Sequence, residues 1–251
     1  MQDITIIILT KNEEEQIKEC LESCKAFENI LVIDSHSTDK TCDIATSYNA
    51  TVLKNTFTDF RAQRQFGIDQ TRTNWLFFLD ADERLTPALS SHILEQIQRT
   101  DIGAVDYPRK NLFLDKWIKH CNWYPDYQTR LFQKTTIQTA EKPVHERFQT
   151  TGTLIQAPLN QNLEIQHNTY QNLSHYFNKI NHYTTIEATH YQGSDAFTLS
   201  KWGILSRAWG MFSQTFFHFK GYKDGMHGFI IAGINAVYSF MLMVKMWENE
   251  K

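Results

Sequence analysis

Four short apolar runs alternate with segments of helical character near the start of this sequence, and this alternation constrains the fold most. The runs are rich in β-branched and aromatic side chains, which favour β-strands. Strands separated by helices in this way predict an α/β fold, with a mostly parallel sheet that helices cover and right-handed crossovers connect. The predicted strands occupy residues 4–9, 30–33, 51–53 and 75–79.

The segments between the runs carry the signals of helix starts. In the first of them, apolar residues recur at i, i+3, i+4 and i+7 from Ile17 to Cys24, which gives one apolar helix face. Short polar side chains that cap helices precede each segment. The predicted capping residues are Asn12 for the first helix, Thr38 or Asp39 for the second, Asp59 for the third and Thr86 for a fourth over residues 87–99.

The ends of the predicted strands are polar. In parallel sheets of this kind, ligands bind beyond the carboxyl ends of the strands. Here these ends are residues 10–13 (Thr-Lys-Asn-Glu), 34–39 (Asp-Ser-His-Ser-Thr-Asp) and 80–82 (Asp-Ala-Asp). Because all three strand ends are polar, the sequence predicts a polar binding site along one edge of the sheet.

The fourth strand leads directly into three carboxylates, Asp80, Asp82 and Glu83. Because side chains alternate along an extended strand, Asp80 and Asp82 project to the same side. Two like charges this close repel unless a cation lies between them, and Mg²⁺ takes carboxylates together with substrate phosphates. The pattern predicts a metal–diphosphate site, and the alternative is a solvated acidic turn before the helix at Thr86.

Glycine is nearly absent from this half of the chain, since Gly67 is the single glycine in the first 102 residues. A dinucleotide-binding turn or a P-loop needs glycines so that backbone amides can approach phosphate. A diphosphate held here must therefore be neutralised by a metal and by side chains. Arg61 and Arg64, one turn apart on the third helix, are candidates for this role, and the alternative is that both are solvated.

The regular alternation stops after the fourth helix. Short strands are predicted at 104–108, 130–132 and 163–167, and a surface helix at 171–192. The last strand ends on His167, and Pro143 precedes the pair His145 and Glu146. Since the chain has ten histidines, chance pairings of this kind are common, and a structural role is favoured for each of these histidines.

Composition and charge restrict the class of partner. The formal net charge is −3, so no global field favours nucleic acid. The four cysteines show neither zinc nor disulfide spacing, which is typical of reduced thiols in a cytosolic protein, and the sequence begins with a strand rather than a signal peptide.

The last part of the sequence combines basic and aromatic residues. Residues 196–223 contain four Lys or Arg, no acid and eight aromatics, and residues 228–244 are mostly apolar. Basic residues interleaved with aromatics are typical of helices that bind an anionic membrane surface. Residues 228–244 are at the short limit for a membrane span, so a helix in the membrane interface is expected, and the alternative is a helical hairpin packed on the domain.

These motifs together resemble the family 2 glycosyltransferases of GT-A (Rossmann-like) fold. The similar segments are residues 7–14 (Ile-Ile-Leu-Thr-Lys-Asn-Glu-Glu), 32–41 (Val-Ile-Asp-Ser-His-Ser-Thr-Asp-Lys-Thr) and 79–83 (Leu-Asp-Ala-Asp-Glu). Residues 125–132, 144–146, 221–225 and 244–248 are most similar to the branch that includes lipopolysaccharide-core β-1,4-glucosyltransferases. The resemblance covers nearly the whole chain.

The resemblance implies a nucleotide-sugar site at the strand ends. Residues at the first strand end would surround the uridine and its ribose, Asp34 would lie at the base edge, and Arg64, less directly Arg61, would reach the diphosphate. Asp80 would face the ribose or reach a metal through water. The implied nucleotide-sugar-binding residues are Thr10, Asn12, Glu13, Asp34, Arg61, Arg64 and Asp80.

The resemblance also implies a metal and a catalytic base. Asp82 would bind Mn²⁺ or Mg²⁺ directly, and His167 matches a position where some GT-A enzymes have a metal-binding histidine, which suits Mn²⁺ better. The Glu-Asp or Asp-Asp pair that usually contains the base is missing here. Glu146 takes its place in the sequence, and Asp126 is the competing candidate.

The sequence thus predicts a metal-dependent, inverting transfer of a hexose, glucose above all, from a UDP-sugar. The acceptor would be lipopolysaccharide core or a lipid-linked saccharide at the cytoplasmic face of the inner membrane, reached through residues 196–251. Alternatives are a protein or peptide acceptor, or an inactive nucleotide-sugar-binding membrane adaptor. The predicted regions are 1–100 for the nucleotide sugar, 101–192 for the acceptor and 193–251 for membrane association.

Overall fold

The computed structural model describes residues 2–138, 148–170, 173–191 and 199–250. The chain forms two compact units. One contains Met1–Lys110 and Asp126–His167, and the other contains Asn111–Pro125 and Asn168–Lys251. The three functional regions predicted from the sequence stay a prediction.

The strands follow the predicted order, with further short strands after the fourth. In this part of the chain they are β1 (Ile4–Thr10), β2 (Asn29–Asp34), β3 (Thr51–Lys54), β4 (Trp75–Asp80), β5 (Glu83–Arg84), β6 (Ala104–Phe113), β7 (Lys116–Trp117), β8 (Asp126–Gln133), β9 (Ile137–Gln138), β10 (Gln149–Thr150), β11 (Leu154–Gln156) and β12 (Ile165–Tyr170).

The main sheet has the strand order β3-β2-β1-β4-β8-β6-β12-β5, with β11 beside β6. The strands β3, β2, β1 and β4 are parallel, whereas β8 runs antiparallel to both β4 and β6. The α/β prediction is confirmed, and its parallel part is the one that the alternating pattern predicted. In the second unit, Leu112 and Phe113 at the end of β6 pair with β7.

The helices of the first unit are short and those of the second are long. They are α1 (Ile17–Ser23), α2 (Thr41–Ser47), α3 (Phe60–Gln70), α4 (Pro87–Gln96), α5 (Leu173–His190), α6 (Lys201–Ser213) and α7 (Met226–Asn249), with 3₁₀ turns at Lys134–Thr136 and Gly221–Asp224 and a π-helical turn at Gln214–His218.

The parallel strands are buried on both faces because successive side chains point in opposite directions. On one face, Ile6 and Ile8 of β1 lie in a core cluster with residues of α1 and α4. On the other face, Ile7 lies in a second cluster with Ile68 of α3. Gly67 of α3 allows this close packing, since a Cβ atom there would come within 3.0 Å of the Ile7 side chain. The continuous apolar runs of the sequence follow from this two-sided burial.

Of the four predicted helix caps, two are observed and two are wrong. Asp59 and Thr86 accept hydrogen bonds from the amides of Ala62 and Leu89, as expected for caps of α3 and α4. Helix α1 begins only at Ile17, and Asn12 does not cap it.

The side chain of Asn12 has a different role. Its Oδ1 accepts a hydrogen bond from the backbone amide of Thr38 at 2.8 Å, so the residue joins two strand-end loops instead of beginning a helix. The cap predicted for α2 is wrong as well, since Lys40 precedes the helix without a side-chain cap hydrogen bond. The carboxylate of Asp39 instead accepts hydrogen bonds from the amides of Glu14, in the first loop, and of Thr41.

The second unit packs around α7. Its core includes Phe113, Ile180 and Ile231. The buried carboxylate of Asp224, just before α7, accepts a hydrogen bond from the backbone amide of His120 at 2.8 Å. By length and composition, α7 could cross a membrane, and it is the one such helix among the described residues. It is longer than the apolar segment 228–244 predicted from the sequence.

Gly103 provides a stability test of the packing beside β6. A Cβ atom there would lie 2.6 Å from the Cα of Gly152, and the Gly103 amide and carbonyl are both hydrogen bonded to neighbouring backbone. Because this backbone is held on both sides, Gly103→Ala is expected to lower the free energy of unfolding by about 1–3 kcal/mol, measured by urea denaturation.

Gly210 of α6 is the control, since a Cβ atom there meets nothing within 4 Å. Gly210→Ala is expected to raise stability by up to about 1 kcal/mol, because alanine favours the helix interior. Equal effects of the two substitutions would contradict the close approach at Gly103.

Candidate active site

Asp34 is a fully buried carboxylate at the end of β2. Parallel pairing places it directly opposite Thr10 of β1, whose hydroxyl donates a hydrogen bond to Asp34 at 3.2 Å. The amide and the hydroxyl of Ser37 donate two more. Burial raises the pKa of Asp34, but the hydrogen bonds from Ser37, Cys42 and Thr10 together lower it by more. The pKa therefore lies below its ordinary value. Asp34 is therefore a fixed anion at this strand end.

The loops that follow β1 and β2 are tied to each other. The amide of Asn12 donates to the Ser37 hydroxyl at 2.8 Å, and the amide of Glu13 donates to the Thr41 hydroxyl at 2.8 Å. Asn12 has a positive φ of 55°, a conformation that asparagine tolerates better than most residues. The structure thus places Thr10, Asn12, Glu13 and Asp34 together, as the sequence predicted.

The acidic turn after β4 is held from within by Arg84. The guanidinium of Arg84 is buried and donates to the carbonyl oxygens of Ala81 at 2.8 Å and of Glu83 at 2.9 Å. It also donates to the backbone and side-chain oxygens of Gln16, next to α1. These bonds fix the backbone that carries Asp80 and Asp82.

Asp80 is paired with an arginine. Its Oδ2 lies 2.6 Å from Nη2 of Arg130, which comes from β8. Burial raises the pKa of Asp80, but the positive charges of Arg130 and Arg64 lower it by more, so the pKa of this carboxyl lies well below its ordinary value. Asp80 is therefore ionised at neutral pH.

Further ion pairs extend from this contact. Nη2 of Arg130 also lies 2.5 Å from Oε1 of the fully buried Glu83, and Arg109 contacts the same oxygen at 3.6 Å. Arg109 in turn holds Asp126 through two hydrogen-bonded nitrogens, at 2.7 and 2.8 Å. The other oxygen of Asp126 accepts from Gln128 at 2.7 Å. We call these five residues, Asp80, Arg130, Glu83, Arg109 and Asp126, the ion-pair chain.

Asp82 and His167 lie beside the ion-pair chain. Oδ2 of Asp82 is 3.4 Å from Nε2 of His167, and both side chains are partly exposed. His167 reaches this place because β12 pairs with β5, with His167 opposite Glu83. Two adjacent ligands of an octahedral ion, each about 2.1 Å from it, lie about 3 Å apart. The Asp82–His167 spacing fits such an ion.

The protein supplies only part of a coordination sphere here. Among the described residues, no three His, Cys, Asp or Glu side chains are grouped so that they could hold a metal ion. Mg²⁺ and Mn²⁺ sites that handle phosphates commonly use one or two protein ligands and complete the shell with substrate oxygens and water. The residues present fit a metal that binds together with a diphosphate.

The two arginines of α3 differ in how far they are buried. Arg64 is partly buried, its guanidinium lies 5.8 Å from the ring centre of Phe60, and its charge contributes to the low pKa of Asp80. Arg61 is exposed. The structure therefore places the charge of Arg64 near the acidic turn, as predicted, whereas Arg61 is on the exposed side of the helix.

The structure describes only one of the two candidate bases. Glu146, with His145, lies outside the described residues. Asp126 is described, and both of its carboxylate oxygens are engaged within the ion-pair chain.

Sequence reasoning found Arg64 but did not assign Arg84, Arg109 and Arg130 to this site. Arg130 was noted only as part of a short strand, and Arg84 and Arg109 were not singled out. A signal was available for Arg130, because an arginine flanked by Leu131 and Phe132 in a strand needs a buried anionic partner.

Comparison with known proteins identifies the family. A sequence model described as "Glycosyl transferase family 2" matches residues 5–163, which is more than half of the chain. The chain belongs to glycosyl transferase family 2. It is therefore a glycosyltransferase, as the motifs predicted.

Two relatives match over nearly the whole chain. An uncharacterized glycosyltransferase of Rickettsia bellii (strain RML369-C) is 26% identical, and the match covers 98% of this chain and 86% of the relative. The lipopolysaccharide core biosynthesis glycosyltransferase LpsC of Rhizobium meliloti (strain 1021) is 25% identical, with 98% and 92% covered. The predicted similarity to lipopolysaccharide-core enzymes is confirmed.

Solved structures share the fold at low sequence identity. The mannosyltransferase PcManGT from Pyrobaculum calidifontis, solved with GDP-Man and Mn²⁺, has a TM-score of 0.55 at 11% identity, with 99% of this chain and 88% of that chain covered. The S. aureus TarS 1–349 structure with UDP-GlcNAc has a TM-score of 0.52 at 12% identity, with 98% and 88% covered. These similarities confirm the GT-A fold.

Asp34 gives this site a pH-dependent stability. Its pKa is lower in the folded state than the value of about 3.9 expected when unfolded, so its stabilisation is complete above that value and is lost as the pH falls through the folded-state pKa. Asp34→Asn is expected to lower the free energy of unfolding by about 1–3 kcal/mol at pH 7, measured by urea denaturation. The difference from wild type should shrink below pH 4.

Asp43→Asn on the exposed face of α2 is the matched control and should change stability little at any pH. A gap between wild type and Asp34→Asn that stays constant down to pH 2 would contradict this account of Asp34.

Proposed function

We propose that this glycosyltransferase transfers a hexose, glucose above all, from a UDP-sugar to a saccharide acceptor with inversion at the anomeric carbon. The observation that carries the proposal is the Asp82–His167 pair, 3.4 Å apart, next to the low-pKa carboxylate of Asp80. A site with this much negative charge and a metal-compatible spacing suits a cation and the diphosphate of a nucleotide sugar. The TarS structure contains UDP-GlcNAc, which supports a UDP-sugar as donor class.

The donor nucleotide is proposed to bind along the ends of β1 and β2. Asp34, held by Ser37 and Thr10, is a fixed acceptor for the N–H groups of a base. Asn12 and Glu13 belong to the loop that would border the ribose. In this proposal residues 1–100 form the nucleotide-sugar half and residues 101–192 form the acceptor half.

The diphosphate is proposed to lie toward Arg64 and Asp82. Arg64 supplies positive charge near Asp80, with Arg61 as an exposed second cation on the same helix. Asp82 and His167 would hold Mn²⁺ or Mg²⁺, and the mixed oxygen–nitrogen donor set favours Mn²⁺. When bound, the metal would offset the negative charge that develops on the departing diphosphate. The mannosyltransferase from Pyrobaculum calidifontis was solved with Mn²⁺ and GDP-Man, which supports this cofactor class.

Glu146 is proposed as the catalytic base. It would take the proton of the acceptor hydroxyl as that oxygen attacks the anomeric carbon from the face opposite the diphosphate. The geometry of Asp126 supports this choice indirectly, because a carboxylate bound by Arg109 and Gln128 is a weak base.

The acceptor is proposed to be lipopolysaccharide core or a lipid-linked saccharide at the cytoplasmic face of the inner membrane, in line with the name of LpsC. Helix α6 supports a membrane contact, since none of its residues is buried. Trp202, Leu205 and Trp209 recur at i, i+3 and i+7 and are 81%, 53% and 65% exposed. Lys201 and Arg207 lie on the same helix, which suits the interface of an anionic bilayer.

The donor proposal is tested by incubating the protein with UDP-glucose and other UDP-hexoses in Mn²⁺ and measuring UDP release with and without lipopolysaccharide-core acceptor. Asp82→Ala is expected to reduce the rate at least about a hundredfold, because the metal would lose its carboxylate ligand. Asp69→Ala, which removes an exposed carboxylate from α3, should leave the rate unchanged.

Absence of release with every sugar nucleotide, in either condition, would overturn the proposed activity. A fully active Glu146→Gln variant would instead remove Glu146 from the role of base while leaving the donor site in place.

The membrane proposal is tested by sedimentation with vesicles of phosphatidylcholine and phosphatidylglycerol, whose negative surface attracts basic helices. Replacing both Trp202 and Trp209 with Ser is expected to weaken partitioning at least about tenfold, because two interfacial indole rings are lost. The control is Tyr183→Ser on α5, which removes another exposed aromatic ring. Equal pelleting of the double variant and wild type would exclude α6 as the membrane contact.

A further inference from the structure

Arg130 owes its position to an irregularity in β8. In the pairing of β8 with β6, Leu131 lies opposite Val105 and Thr129 lies opposite Asp106, so Arg130 is the extra residue of a β-bulge. Bulges next to active sites commonly redirect a side chain. Here the guanidinium places one nitrogen, Nη2, against both Asp80 and Glu83. The Nε of Arg130 is buried and has no hydrogen-bond partner among the described residues. The position of the guanidinium is therefore set by its contacts with the two carboxylates.

Glu83 uses both carboxylate oxygens in this arrangement. Oε1 faces Arg130 and Arg109, and Oε2 accepts a hydrogen bond from the backbone amide of Asp80 at 3.1 Å. Glu83 is also the strand partner of His167. The fully buried side chain of Glu83 thus contacts Asp80, two residues before Asp82, and also the guanidinium of Arg130 that pairs with Asp80. Its backbone pairing sets the register of His167.

The charges of the ion-pair chain do not cancel. Three carboxylates, Asp80, Glu83 and Asp126, face the two guanidinium groups of Arg109 and Arg130. With all three carboxylates ionised, the ion-pair chain by itself carries one more negative than positive charge. Burial raises the pKa of Glu83, the charges of Arg130 and Arg109 oppose this, and Arg64 adds a positive charge near Asp80. Of the three carboxylate side chains, that of Asp80 is the most exposed, at 36%, compared with 0% for Glu83 and 23% for Asp126. Asp80 is therefore the carboxylate of the ion-pair chain that is most accessible to a cation.

We propose that Glu83 is a positioning residue for the cation site. By sharing Arg130 with Asp80, Glu83 keeps Arg130 from neutralising Asp80 completely, so that Asp80 stays available to a divalent cation held by Asp82 and His167. This inference rests on the metal-dependent function proposed above. It assigns Glu83 a role in cation affinity.

The test is a calorimetric titration of Mn²⁺ into the protein with UDP present, corrected for a titration into UDP alone. Glu83→Gln keeps the shape of the side chain but removes its charge, so Arg130 would pair with Asp80 alone. The Mn²⁺ affinity is expected to fall about tenfold to hundredfold, the range typical of residues that orient metal ligands. Glu19→Gln is the matched control, since this exposed carboxylate lies 3.4 Å from Arg84 near the same turn, and its affinity should stay within about twofold of wild type.

A second variant separates this role from simple loss of charge or of folding. Glu83→Gln combined with Arg130→Met replaces the buried ion pair with neutral side chains, which proteins often tolerate. If Glu83 acts by sharing Arg130, the double variant recovers Mn²⁺ affinity to within about threefold of wild type, because Asp80 has lost its competing cation.

Wild-type affinity in Glu83→Gln, or a double variant that binds as weakly as Glu83→Gln, would overturn the inference while the metal-dependent function stands. A wild-type protein that takes up no Mn²⁺ in the presence of UDP would overturn the metal site and this inference together.

Discussion

The parallel pairing of β1 with both β2 and β4 is the constraint on which the site depends. It places Thr10 beside Asp34 and Leu9 beside Asp80, so the polar ends of three strands meet at one edge. Apolar residues on both faces of these strands fix the register, since a shift by one residue would turn every buried side chain to the wrong face. The positions of the polar side chains at this edge therefore depend on the packing of the strands in the interior.

The buried ion pairs are the second feature on which the site depends. Taking carboxylates and guanidinium groups out of water is costly, and a buried ion pair is weak evidence for stability. The ion-pair chain is nevertheless built so that each carboxylate meets at least one arginine and Glu83 meets two. Such an arrangement fixes the positions of Asp80 and of the turn that carries Asp82. In the proposed function, this order is present before a ligand binds, which would lower the cost of ordering on binding.

Motifs and fold agree on the family although most of the sequence differs from the solved structures. Identities of 11% and 12% accompany TM-scores above 0.5. The alternating strands, the cap residues Asp59 and Thr86 and the acidic turn could be predicted, because each depends on neighbours along the chain. Asn12 was misassigned as a cap, because its side chain is used by Thr38 in another loop and local sequence does not record that partner.

The sequence by itself determined the family, the α/β alternation and the strand ends that carry Thr10, Asp34, Asp80 and Asp82. These follow from periodicity and short motifs, which are local properties. Only the tertiary structure decided that Arg130 lies between Asp80 and Glu83, that Arg109 binds Asp126, and that His167 meets Asp82. The reason is physical: these contacts join residues from β4, β5, β6, β8 and β12, and a single bulged residue in β8 redirects the central arginine. Pairing between distant strands, and not spacing along the chain, sets those contacts.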